Sequence, residues 1–202
     1  MLGHRMRGRW RTVAELWEVH KQPNTTVDLL SQVDYMGKLS GQLAADEGFR
    51  LVYASSGHPT AAVLSDGAPV VDYTLFCVRC ETSEEAHFLA SVINTRTLEH
   101  AVAKWMPKGQ FGSRHLQKHL WRLPIPIFDS ADDLHAELAV LGAQAESEAA
   151  ECYRALSAER SVAGKPTTIA TARRELRAWL QDSALGNRIN GLVERLLARS
   201  CD

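Results

Sequence analysis

The feature that most constrains the fold is an apolar stripe through residues 134–156. Its members recur at intervals of four and three residues: Leu134, Leu138, Leu141, Ala145, Ala149, Cys152 and Leu156. This spacing places them on one face of a helix over about three heptads, which is typical of a long helix that packs on another helix. Ser130 and Asp133 fit a cap at its start. "VAGKP" ends it, and two shorter stripes further on predict two more helices.

The preceding part of the chain has the patterns of strands. "FRLVYAS" and "TAAVLS" flank the turn signal "SGHP", and "VVDYTLFCVRC" follows. These runs predict three successive strands, the first two forming a hairpin with a loop of about four or five residues. "LPIPIF" is expected to be an edge strand or an extended segment, since each proline removes a ladder donor.

Helices are predicted around these strands. "WRTVAELWEVHK" carries a capping-box pattern at Thr12 and Glu15, and "ETSEEAHFLASVIN" carries another at Thr82 and Glu85. Apolar spacing predicts a helix over residues 29–43 that Gly37 and Gly41 interrupt, and one ending near residue 105. We therefore expect an α/β (α+β) fold, with a small mixed or antiparallel sheet and packed helices in residues 1–128. A long helix and helical tail follow in residues 129–202.

Composition excludes few classes. The net charge is −1 and 45% of residues are hydrophobic, which is ordinary for a soluble domain. No run of 18 apolar residues and no signal-peptide pattern occurs, so we expect a cytoplasmic protein without membrane contact. The four cysteines are too few for a disulfide scaffold. Cys77 and Cys80 in "CVRC" should face opposite sides of a strand, which argues against a metal site.

A search for catalytic groups finds no convergent set. The chain has no GxxxxGK[ST], GxGxxG or GxSxG motif. His115 and His119 have i, i+4 spacing, but the glutamate of HExxH and a third ligand are missing. Asp72 lacks the second acid and the lysine of a metal-dependent nuclease. We therefore expect no catalytic residue, no bound metal and no cofactor, so that the chain is not an enzyme on its own.

The most one-sided segment is residues 104–122, "KWMPKGQFGSRHLQKHLWR". It holds three lysines, two arginines and two histidines but no acid. Such a segment favours phosphate contacts, whereas the alternative interpretation is a solvated face anchored by its apolar residues. Gly109 and Gly112 allow close backbone approach to a ligand.

The order of segments carries a resemblance. "SEEAHFLASVINTRTLEHAV", "KGQFGSRHLQKHLWRLPIPIFD" and "DDLHAELAVLGAQAESEA" follow one another here. This order resembles the C-terminal region of adenine-specific DNA methyltransferases of restriction–modification systems, similar in plan to Type I specificity subunits. The matching residues are Glu85, Ala86, Leu89, Asn94, Gly109, Gly112, Arg114, Lys118, Pro124, Pro126, Asp129, His135 and Leu138.

The resemblance implies a target-recognition domain that reads double-stranded DNA. In that family a separate catalytic domain binds S-adenosylmethionine and acts on a flipped adenine. This chain has neither a Pro-Pro dipeptide nor a glycine-rich cofactor loop. It is therefore expected to be a specificity subunit, a truncated product or an excised domain, and S-adenosylmethionine is expected only on the missing domain.

We thus predict a DNA-binding specificity module of a bacterial-type defence system. Its partners would be DNA and a methyltransferase or restriction subunit, and its long helices allow an oligomer. The alternative is a protein–protein adaptor that uses those helices, and a small nuclease ranks last. The predicted DNA-contacting residues are Lys104, Lys108, Gln110, Ser113, Arg114, His115, Lys118, His119 and Arg122, with Ser55, Ser56 and His58 from the "SGHP" turn.

Overall fold

A computed structural model describes residues 4–43, 48–65, 70–71, 74–106, 108–109, 112–113 and 115–199, with backbone alone at 4–7, 43, 108–109, 112–113 and 117. Within these residues, no helix combines the length and the apolar character needed to cross a membrane. The chain divides into two compact units, Met1–Asp46 and Glu47–Asp202. This division differs from the predicted boundary at residue 128, because the C-terminal helices share a core with the sheet.

The unit Met1–Asp46 contains three helices: α1 (His4–His20), α2 (Leu29–Val33) and α3 (Lys38–Leu43). The capping box predicted at Thr12 is wrong. Thr12 lies inside α1, where its hydroxyl donates to the carbonyl oxygen of Gly8 at 3.2 Å. The predicted interruption of the next helix occurs at Met36 and Gly37, which have φ of 59° and 68°. Glycine adopts this left-handed conformation without strain, so the break forms there and not at Gly41.

The second unit is built on a three-stranded antiparallel sheet. Its strands are β1 (Phe49–Ala54), β2 (Ala61–Leu64) and β3 (Leu75–Cys80), in the order β2-β1-β3. Leu51 pairs with Val63 on one side and with Val78 on the other. The predicted hairpin is confirmed, with a connection of residues 55–60 that is slightly longer than expected. Cys77 is exposed and Cys80 buried, as alternation along a strand requires.

Two capped helices follow the sheet. The Thr82 hydroxyl accepts a bond from the Glu85 backbone N–H at 3.1 Å, which starts α4 (Ser83–Ile93) as predicted. Thr95 caps α5 (Arg96–Ala103) in the same way through the N–H of Leu98. α4 lies against the sheet and buries nearly all of its apolar residues.

The basic segment folds into short pieces. β4 (Lys108–Gly109) and β5 (Gly112–Ser113) form a small antiparallel ladder, and α6 (Leu116–His119) follows, continued by a 3₁₀ turn to Arg122. The "LPIPIF" run belongs to neither sheet and begins with a tight turn, in which the N–H of Ile125 donates to the carbonyl oxygen of Leu123 at 2.8 Å.

Three helices complete the unit: α7 (Asp133–Val162), α8 (Ile169–Asp182) and α9 (Ala184–Arg199). The cap of α7 is Asp132, not Ser130 or Asp133, because its carboxylate accepts bonds from the N–H groups of Leu134 and His135. The mixed α+β fold with a long helix and a helical tail is confirmed. The core draws on every layer, and its fully buried large side chains are Leu51, Phe88, Val92, Ile93, Leu98, Val102, Leu116, Leu120, Leu138, Val193 and Leu196.

Candidate functional site

Two parts of the predicted DNA-contacting set lie together at one end of the sheet. The backbone N–H of Leu116 donates to the carbonyl oxygen of Ser55 at 3.0 Å. Trp121 reinforces the contact, because its indole N–H donates to the Tyr53 hydroxyl at 3.0 Å and the two rings meet edge-to-face. The β1–β2 turn and the basic segment, about sixty residues apart in sequence, therefore form one surface. We call it the basic corner and define it as residues 55–58 and 115–122.

Apolar anchors decide which side chains of the corner face solvent. Leu116 and Leu120 are fully buried. Lys118 and Arg122 consequently lie on the exposed side, as does His115. His115 has φ of 64° and precedes α6, so it does not share a helical face with His119. The i, i+4 spacing of these histidines therefore does not place them on one face of α6.

Positive groups of the corner influence one another. The Arg122 guanidinium donates to Nδ1 of His119 at 3.4 Å, which requires a neutral imidazole protonated at Nε2. Partial burial, followed by the positive charges of Arg122, His115 and Lys118, lowers the pKa of His119 below its usual value. The four groups thus form a cluster in which adding one more proton is unfavourable.

The other predicted residues have mixed outcomes. Lys104 is exposed, and its ammonium lies 4.5 Å from the centroid of the Trp105 ring. Ser56 is exposed and Ser55 half-buried. His58 is also exposed, but its Nδ1 contacts the Glu99 carboxylate, so that ring is engaged with an acid of α5. Gln110 and Arg114 lie outside the described residues, and Lys108 and Ser113 are described by backbone alone.

Sequence reasoning missed Glu99. This acid lies in a helix outside residues 104–122, and no local motif connects it with the "SGHP" turn. Only the fold brings α5 beside the turn. Its carboxylate places one negative charge at the edge of the basic corner. Counting the charged residues within residues 104–122 does not reveal this charge.

Sequence reasoning also missed a cleft with a volume of about 460 Å³ between β2, α4, α7 and α8. Ala145 and Ala149 of α7 line it. Both belong to the apolar stripe that predicted continuous helix packing. The signal available in the sequence was the change from leucine to alanine along that stripe, which reduces the side-chain volume facing the neighbouring helices.

The side chains of Ser83, His87 and Glu146 together resemble a hydrolase triad. His87 lies between Ser83 on its own helix and Glu146 on α7, with Nε2 3.0 Å from the Glu146 carboxylate. Its Nδ1 is 2.7 Å from the carbonyl oxygen of Ser83 and 3.3 Å from the Ser83 hydroxyl. Nδ1 lies closer to the carbonyl oxygen than to the hydroxyl, so the geometry pairs this nitrogen with the backbone before the hydroxyl, unlike the direct base–nucleophile contact of a triad. In the part of the chain that the structure describes, no three His, Cys, Asp or Glu side chains could hold a metal ion.

Residues that carry the resemblance contribute visible contacts. The Asn94 side chain accepts from the N–H of Ala61 at 2.9 Å and donates to its carbonyl at 3.0 Å, which closes part of the β2 edge. The Asp129 N–H donates to Nδ1 of the buried His135 at 3.1 Å. These contacts give Asn94, Asp129 and His135 a role in stabilising the fold.

Comparison with protein-family models, with curated proteins and with solved structures finds no match for this chain. The resemblance to methyltransferase target-recognition regions therefore stays a prediction.

Proposed function

We propose that this chain is a sequence-specific DNA-binding module that serves a DNA methyltransferase or restriction–modification assembly in the cytoplasm. The basic corner would contact the duplex, and a partner subunit or domain that binds S-adenosylmethionine would perform the chemistry. The observation that carries the proposal is the bond between Leu116 and Ser55, which joins the β1–β2 turn to the acid-free segment.

The geometry of the corner suits phosphate contacts. Lys118 and Arg122 project from a turn that Leu116 and Leu120 anchor in the core. Ser56 and His115 lie exposed beside them and offer polar groups for phosphate oxygens or base edges.

The direct test is the salt dependence of binding to duplex DNA, measured by fluorescence anisotropy. Five lysine and arginine contacts from residues 104–122 would give a slope of log K against log salt of about −4.5. The double variant Lys118→Glu/Arg122→Glu should bind at least about tenfold more weakly and reduce the slope by about 2.

A matched control is Lys165→Glu/Arg174→Glu, which makes the same charge change at exposed positions outside the corner. It should leave the slope unchanged. Equal losses in both double variants would show that only the overall charge matters. The absence of wild-type binding at low salt would refute the proposal.

The lowered pKa of His119 gives a second, pH-dependent test. His119 is neutral at pH 7, and a nearby phosphate would favour its protonated form. DNA binding should therefore take up a proton, and affinity should rise as the pH falls through 6.5 toward 5.5. His119→Gln should remove this part of the pH dependence while keeping the affinity at pH 7.5 within about twofold. An identical pH profile in the variant would exclude His119 from the contact.

A second candidate, a protein–protein adaptor, is favoured by the exposed apolar side chains near the α7–α8 connection. Val162 is 92% and Ile169 75% exposed. Under that function Val162→Ser/Ile169→Ser would weaken partner binding and leave DNA binding unchanged. The charge reversal at Lys118 and Arg122 would have the opposite pattern.

A further inference from the structure

The cleft beside β2 is a feature of the second unit that the proposed function does not use. Its volume of about 460 Å³ falls within the range of small-molecule sites. Alanine occupies six positions of its walls, on β2 and on three helices, so little side-chain volume projects into it: Ala61, Ala62, Ala90, Ala145, Ala149 and Ala172. Leu176 and Trp179 of α8 add larger apolar surface. These walls would accommodate an apolar chain.

Charge in the cleft is not evenly distributed. Arg173 and Arg177 lie one turn apart on α8 and both line the cleft. Neither has an ion-pair partner in the described residues. The two acids of the lining are engaged elsewhere, because Glu99 contacts His58 and Glu146 contacts His87. The α8 wall therefore offers two guanidinium groups to a negatively charged ligand.

A third polar group lies at the N-terminal end of the same wall. The Thr167 hydroxyl oxygen is buried and finds no hydrogen-bond partner within the described part of the chain, although Thr167 lines the cleft. An unpaired buried hydroxyl is costly, so a ligand oxygen placed here would be favoured. The Cα–Cβ bonds of Arg173 and Arg177 are tilted toward the helix N-terminus, which is the side on which Thr167 lies.

We propose that the cleft binds a small amphiphilic acid, a medium-chain carboxylate. Its chain lies between the alanines and Trp179, and its carboxylate lies at Arg173, Arg177 and Thr167. Guanidinium groups suit this head group because they bind carboxylates through two parallel hydrogen bonds. The proposal is independent of DNA binding, since none of these residues belongs to the basic corner.

The test is isothermal titration calorimetry of the full chain with dodecanoate below its micelle-forming concentration. Wild type should bind one dodecanoate per chain, and Arg173→Gln/Arg177→Gln should bind it at least about tenfold more weakly. Arg174→Gln is the matched control on the same helix, because Arg174 pairs with Glu175 and is not part of the lining. It should bind as wild type does. Dodecyltrimethylammonium, which has the same chain with a positive head, should bind more weakly than dodecanoate.

A second variant tests the apolar part. Ala149→Leu should narrow the cleft and weaken dodecanoate binding, with the thermal unfolding midpoint confirming that the variant is folded. The proposal is overturned if wild type shows no saturable binding, or if Arg173→Gln/Arg177→Gln binds as wild type does. It is also overturned if a glutamate-rich peptide saturates the cleft and dodecanoate does not, since the cleft would then be a protein-docking site.

Discussion

The N-terminal and C-terminal halves of α7 belong to one uninterrupted helix, but they face very different neighbours. From Leu134 to Gly142 the helix lies against α4 and buries its apolar stripe. From Ala145 onward the stripe is only partly covered, and Ala145 and Ala149 line the cleft against α8. A regular heptad-like spacing therefore predicts which face of a helix is apolar. It does not predict how closely a neighbouring helix packs against that face.

Gly142 marks the change between the two halves. A Cβ at this position would come within 3.0 Å of the carbonyl carbon of His87 and closer still to its oxygen. Absence of a side chain is what permits the backbones of α4 and α7 to approach here. Beyond Gly142, Ala145 and Ala149 line the cleft.

The largest effect is expected for Leu138→Ala in the buried half. Leu138 is fully buried, so its truncation should lower the free energy of unfolding by about 3 kcal/mol. Leu156→Ala, on the same stripe but half-buried, should cost about 1 kcal/mol or less. Urea denaturation of both variants would measure the difference, and equal losses would contradict the division of α7 into two halves.

Gly142→Ala should lower the free energy of unfolding by about 2 kcal/mol, because α4 and α7 must move apart to admit the methyl group. Gly191→Ala is its matched control. Gly191 also lies in a helix, α9, and a Cβ there meets nothing within 4 Å. This control should raise stability by up to about 1 kcal/mol through helix propensity. Stabilisation by both substitutions would mean that the α4–α7 contact is not as close as described.

Local signals in the sequence predicted most of the helices and the antiparallel sheet. Thr82 with Glu85 identified the start of α4, since a cap depends only on residues within one turn. The same pattern failed at Thr12, because α1 extends further toward the N-terminus and the pattern there does not mark a boundary. Capping residues predict a helix start only where the preceding residues cannot continue the helix.

The candidate site was predictable only in part. The acid-free segment was visible in the sequence, but its contact with Ser55 depends on a backbone bond that has no sequence signature. The left-handed conformation of His115, which removes it from α6, was equally hidden. The pairing of His58 with Glu99 and the cleft arise from how α5 and α8 approach the sheet. Such long-range placement depends on the whole core and not on any short motif.

Leucine substitutions at two alanines of α7 compare the packing of its two halves through smaller changes in the free energy of unfolding. Ala139 is buried in the half facing α4, so Ala139→Leu should overpack that half and cost about 1–2 kcal/mol. Ala149 faces the cleft, so Ala149→Leu should change the free energy of unfolding by no more than about 0.5 kcal/mol. Chemical denaturation of the two variants measures both values. A large loss in Ala149→Leu would show that the C-terminal half is packed as tightly as the N-terminal half.

The smallest expected effect on stability comes from the charge of Asp132, the N-cap residue of α7. Partial burial opposes ionisation of Asp132, but bonds from the N–H groups of Leu134 and His135, followed by the electrostatic influence of His135 and Arg199, outweigh it and lower the pKa of the carboxyl. Because the pKa is lower in the folded chain than in the unfolded chain, ionised Asp132 stabilises the fold above pH 3.8. That contribution is lost as the pH falls through the folded-state pKa.

Asp132→Asn keeps a side-chain oxygen that can cap the helix but does not titrate. Thermal unfolding midpoints of the variant should therefore fall less steeply between pH 5 and pH 3 than those of the wild type. Parallel curves would indicate that the cap acts through its hydrogen bonds alone and that its charge contributes nothing measurable to the attachment of α7.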